Sequence, residues 1–100
     1  MIFNSPTQAN DSIHKYMIVL RKDGKKVKTV KWGAIGYEHF TSGHLDEQRR
    51  QNYIQRHKNK ENWSNEKTSG YYAYNHLWRF RTLNEANKWI KADLRSKGYN

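Results

Sequence analysis

Lys22-Asp23-Gly24-Lys25 stands between two runs rich in β-branched and aromatic residues, HKYMIVLR before it and KVKTVKW after it. An Asp-Gly pair in that setting is a strong short-range hairpin signal, because the turn that matches strand twist needs positive φ at its centre. The pattern predicts antiparallel strands over about 14–21 and 26–32. Tyr16, Ile18 and Leu20 share one face of the first strand, and Lys28, Val30 and Trp32 share one face of the second. The second strand is only half apolar. It is therefore expected at the sheet edge, where Lys26, Lys28 and Lys31 would oppose pairing with another chain. Two strands alone are marginal in water and need a helix or a third strand over their apolar face.

Residues 1–12 are polar, hold the only proline and show no period. They are expected as a flexible N-terminal arm before a single compact domain spanning 13–100. GAIGYEHFTSG reads as a turn-rich connector, with Tyr37 and Phe40 tucked under the hairpin and Gly33 and Gly36 serving close backbone packing. A helix is expected from about His44 to Lys58. It has Asp46 and Glu47 in its first turn and Arg56, His57 and Lys58 in its last, as the helix dipole favours. Its apolar face is thin: Leu45, Tyr53, Ile54 and the ring of His57. After a polar loop, YYAYNHLWRF reads as a short aromatic helix capped by Thr68 or Ser69. Thr82-Leu83-Asn84-Glu85 is a capping box, followed by Leu83, Ala86, Ile90 and Leu94 at helical spacing with Trp89 beside them. Gly98 stands where a left-handed C-terminal cap belongs. The fold class that follows is α+β, an N-terminal antiparallel hairpin or small sheet packed against about three α-helices.

Charge narrows the partners. Nineteen Lys and Arg face nine Asp and Glu, a net charge of +10 with His neutral. So large a surplus in so small a domain repels itself unless a polyanion is near: nucleic acid, an acidic protein surface or anionic lipid. The bases fall into two groups. Lys25, Lys26, Lys28 and Lys31 lie around the hairpin turn. Arg49, Arg50, Arg56, Lys58 and Lys60 follow along the middle helix, with Arg49 and Arg56 on one face. These nine are the polyanion-binding candidates, weighed against an ordinary solvated surface. Trp63, Tyr71, Tyr72, Tyr74 and Trp78, interleaved with Arg79, are of the type that stacks on unpaired bases. A chain so poor in Leu, Ile and Val must also build its core from rings, and core roles are expected for most of them.

Catalytic classes find little support. No cysteine is present, which removes thiolate chemistry, disulfides and Cys-based zinc sites. His39, His44 and His57 invite a metal or nuclease reading, but no His pair sits at helical i, i+4 spacing with a supporting carboxylate. Asp46 and Glu47 are adjacent and point to different helix faces, so no two-carboxylate site forms. GAIG lacks the Lys and hydroxyl residue of a phosphate-binding loop. The expectation is no enzyme, no cofactor and no small-molecule substrate. No window approaches the ~20 apolar residues of a membrane span, and the first residues lack the features of a secretory signal, so an intracellular protein is expected.

Lys15 to Leu20, Val30 to Thr41, His44, Asp46 to Lys58, Glu61 to Trp63 and Thr68 to Leu83 together make a pattern. Its most specific parts are GAxGY and YIxRHK, with ENW and TSGYY further on. It resembles a family of small basic proteins of uncharacterised function encoded by giant viruses, the large nucleocytoplasmic DNA viruses, over roughly residues 14–83. The resemblance implies a viral setting, in the virion or the infected cell, and a non-enzymatic role. It names no site. Two hypotheses fit. One is a minor capsid or virion structural component that binds capsid proteins through basic surfaces. The alternative is a viral nucleic-acid-binding protein contacting phosphates through the basic hairpin and helix. The second should gather Lys28, Lys31, Arg49, Arg56 and Lys60 on one face, whereas the first should scatter its bases and expose apolar patches.

Overall fold

A computed structural model describes residues 2–100. The hairpin forms between β2 (His14–Lys22) and β3 (Lys25–Ala34), preceded by a short β1 (Thr7–Gln8), in the order β1-β2-β3 with both pairings antiparallel. Asp23 and Gly24 both have positive φ, 54° and 76°, as the two-residue turn requires. Tyr16 faces Trp32 and Ile18 faces Val30, so the apolar residues of both strands lie on one side. The register slips between Leu20 and Arg21, which face Lys28 and Lys26, and Val27 is the extra residue of a bulge. β3 is an edge strand, as its lysines suggested.

The first twelve residues depart from the free arm expected of them; Met1 lies outside the described residues. Thr7 and Gln8 pair with Met17 and Tyr16. The Asn4 side chain acts as a further backbone rung: its amide donates to the Arg21 carbonyl at 3.1 Å, and its Oδ1 accepts from the Arg21 N–H at 2.8 Å. The C-terminus converges on the same residue, with the Asn100 N–H donating to the Arg21 carbonyl at 3.1 Å. β2 offers a second free edge, and pairing satisfies backbone groups that a periodicity reading does not count.

The segment after β3 makes a wide turn at Phe40–His44. Phe40 is buried, but Tyr37 is 70% exposed, so only one of the two rings expected beneath the hairpin reaches the core. Gly33 and Gly36 both have positive φ. A methyl group on Gly33 would meet Leu77 Cδ1 at 3.1 Å, whereas one on Gly36 would meet nothing within 4 Å. Close packing therefore explains Gly33 alone; Gly36 serves the turn. α1 (Glu47–His57) begins later than expected. Asp46 is its N-cap, accepting from the Gln48 and Arg49 N–H groups, and Leu45, at φ 51°, lies outside it. Tyr53 is the one buried residue of α1.

Thr68 caps α2 (Ser69–Tyr72), which widens into a π-helical run at Ala73–Trp78 and leads to α3 (Leu83–Ser96). Half of the expected capping box forms. The Thr82 hydroxyl accepts from the Glu85 N–H at 3.2 Å, and it also lies 3.1 Å from the Glu85 carboxylate, to which it can donate. Gly98, at φ 93°, closes α3, with the Tyr99 N–H donating to the Leu94 carbonyl. The core is a sheet face against these helices. Trp32 stacks on Tyr72 with ring centres 4.7 Å apart, and its indole N–H donates to His76 Nδ1 at 3.2 Å. Ala86, Ile90 and Leu94 of α3 complete the apolar interior.

Candidate anion-binding cleft

Helical periodicity places Arg49, Asn52, Tyr53 and Arg56 of α1 on one face, at i, i+3, i+4 and i+7. That face looks across an open cleft of about 580 Å³ at Ala34 and Tyr37 to His39, with Trp78 forming part of its wall. The wall is a stack of rings: Tyr53 lies parallel to Trp78 at 4.4 Å and stacks with His57 at 4.3 Å. Burial holds the Tyr53 hydroxyl well above its ordinary range, so it stays protonated.

His39 is buried edge-on to Trp78, and its pKa is lowered to about 4, first by burial and then by the charges of Lys15 and His44. It is neutral at pH 7. Lys15 donates to His39 Nδ1 at 3.3 Å and also to the Tyr37 carbonyl, pinning the connector to β2. An ammonium has only protons to give, so Nδ1 is the acceptor and the imidazole proton sits on Nε2.

The nine candidate bases divide sharply. Arg50 is a structural residue. Its Nε donates to the Trp78 carbonyl at 2.9 Å, its Nη2 to the Arg79 carbonyl at 3.1 Å and its Nη1 to Glu47 at 2.9 Å, while the guanidinium sits over Phe40. Lys28 donates to the Lys67 carbonyl at 2.8 Å, and Lys31 pairs with Asp11 at 3.1 Å. Arg49 meets Glu38 loosely, at 3.8 Å, with both side chains at least half exposed. Lys25, Lys26, Arg56, Lys58 and Lys60 have no acceptor among the described residues. These five do not form one patch. Lys25 and Lys26 flank the hairpin turn, while Arg56 shares the cleft with Ala34 at the other end of β3, nine residues or roughly 30 Å of strand away.

Cleft residues outside the nine candidates are Ala34, Tyr37, Glu38, His39, Asn52, Tyr53 and Trp78. The spacing of Asn52 and Tyr53 to the two arginines was the available signal; the connector's approach to α1 had none. The rings weighed as stacking platforms are mostly committed elsewhere. Tyr71, Tyr72 and Trp78 are buried, Trp63 stacks on Tyr74 at 3.9 Å, and Arg79 lies over Trp89 and Phe80. His57 Nδ1 and the Trp63 indole both contact the Glu61 carboxylate, at 2.8 and 3.0 Å, which joins the end of α1 to the following loop. Among the described residues no three His, Cys, Asp or Glu side chains converge, and no helix is long and apolar enough to cross a membrane.

These elements define a small basic α+β domain with a cationic cleft between its connector and its first helix. The chain belongs to a family of unknown function, DUF5754, whose model matches residues 7–57. That stretch holds the three strands, the connector and α1, and every cleft residue named above except Trp78. No curated protein and no solved structure matches the chain.

Proposed function

We propose that the chain is a non-enzymatic structural component of a giant-virus particle, a minor capsid or virion protein that binds neighbouring capsid proteins through basic surfaces. The setting rests on the sequence resemblance. Protein rather than nucleic acid is favoured by the division of the free cations among the nine candidate bases. Lys25 and Lys26 at the hairpin turn make one basic pole. Arg56, which lines the cleft beside Ala34 at the other end of β3, makes the other with Lys58 and Lys60 after it in the chain. Lys28 and Lys31 in β3 between them are engaged internally. A phosphate backbone needs a continuous track of contacts to release its counterions together. Two separate poles suit a part that touches two acidic neighbours. Ile13 and Ile35, exposed side by side where the Ile35 N–H donates to the Ile13 carbonyl, add an apolar contact patch near the cleft.

The test has two arms. Affinity of the full chain for a short duplex and a matching single strand is measured across a salt series, beside K25E/K26E and R56E/K58E/K60E variants. Weak binding with a shallow salt slope is expected. Tight binding at moderate salt, lost in steps with each pole, would hand the function to nucleic acid. In the second arm, lysine cross-linking of purified particles should join both poles to capsid proteins. Absence of the chain from particles would refute the structural role.

A further inference from the structure

The cleft carries more than a share of surface charge. Arg49 and Arg56 are two helical turns apart, about 10.5 Å along the axis, on a face that also carries an amide and a phenol. Their neighbour Arg50 is consumed inside the fold, so α1 separates one structural guanidinium from two that face outward. Arg56 has no acceptor among the described residues. Arg49 is held only by Glu38 at 3.8 Å, both half exposed or more, which is the contact an acid from outside would make. Glu38 is in this sense an internal stand-in for a carboxylate ligand.

We infer that this cleft is a docking site for an acidic, extended segment of a partner protein, with carboxylates on Arg49 and Arg56 and an apolar side chain between them. The inference rests on the protein-binding reading above. An extended chain advances about 3.3 Å per residue and alternates its side chains, so acids four residues apart, about 13 Å, present both carboxylates and the apolar side chain midway between them on one face. A cleft of about 580 Å³ holds a few side chains. Ala34 and the edge of Trp78 offer the apolar middle, and exposed Tyr37 extends it at the rim. A single nucleic-acid strand is the poorer occupant, because Tyr53 is sandwiched between Trp78 and His57, leaving Tyr37 as the one exposed ring among the described residues of the cleft.

The experiment titrates the full chain with the capped peptide Glu-Glu-Phe-Glu-Glu, following its tryptophan fluorescence. The Gln-for-Glu peptide and an oligothymidylate of equal charge serve as controls. The acidic peptide should bind, and each of Arg49→Gln and Arg56→Gln should weaken it about fivefold, the scale of one partly exposed ion pair. Glu38→Gln should tighten it a few-fold by removing the internal competitor, while Lys25→Gln at the far pole should change nothing. Neither arginine holds the fold together, so these variants remain folded for the comparison. Equal binding of the uncharged peptide, indifference to both arginine variants, or displacement of the peptide by oligothymidylate would overturn the assignment. Failure here with cross-links intact in particles would remove the cleft alone; failure of both would remove the protein-binding reading too.

Discussion

Arg50 offers the sharpest test of how the bases are divided. Sequence grouped it with Arg49 and Arg56 as a polyanion contact, whereas its side chain, 24% exposed, lies against the end of the Ala73–Trp78 run. Replacement by alanine leaves the Trp78 and Arg79 carbonyls without their cation and uncovers the Phe40 ring. Each charged hydrogen bond at this exposure contributes about 1 kcal/mol, and the ring contact about 0.5–1 kcal/mol. The pair with exposed Glu47 is screened and is left out. Arg50→Ala should therefore destabilise by about 2–3 kcal/mol, which lowers the Tm of a domain this size by roughly 10–20 °C. Arg49→Ala, one residue earlier, should stay within about 0.5 kcal/mol of wild type. Arg50→Lys should recover less than half, because a point charge cannot serve two carbonyls and a carboxylate from one fork. Urea unfolding followed by far-UV circular dichroism measures all three. A loss below about 1 kcal/mol for Arg50→Ala, with an unchanged m value, would refute the structural assignment. So would a drop in polyanion affinity matching that of Arg56→Ala.

Stability should also fall on mild acidification. His39 and His76 are both buried, chiefly for that reason held near pKa 4 against 6.5 in the unfolded chain, so below about pH 6.5 the unfolded chain takes up protons that the folded one refuses. Stability is full at pH 7 and should be about 2–4 kcal/mol lower by pH 5; equal urea midpoints at the two values would contradict this. Gly33→Ala should cost more than Gly36→Ala, since both strain φ but only the former drives a methyl group against Leu77, and thermal melts of the pair decide it. Thr82→Ala should cost about 1 kcal/mol by freeing the Glu85 N–H, measured in the same urea assay.

Local chemistry made much of this molecule legible before any coordinates. Asp23-Gly24 can take the positive φ that a two-residue turn demands, and alternation set Tyr16, Ile18 and Leu20 facing Val30 and Trp32. Thr82, with Leu83, Ala86, Ile90 and Leu94, specified α3 by a cap and a period, both of which depend on residues within a few positions of each other. The connector was misread at Tyr37 for the opposite reason. Which of two rings enters a core depends on the path the chain takes, and Gly33, Gly36 and Gly43 permit many paths.

Sequence by itself determined a basic α+β chain with a β-hairpin at the front, a capped amphipathic helix at the back, and more positive charge than its own acids can balance. Only the tertiary structure decided which of those charges remain available. Arg49 and Arg50 are adjacent and chemically identical, yet one faces a cleft and the other grips two carbonyls nearly thirty residues away. Charge is a property of a residue, but its availability depends on every acceptor that folding brings within reach.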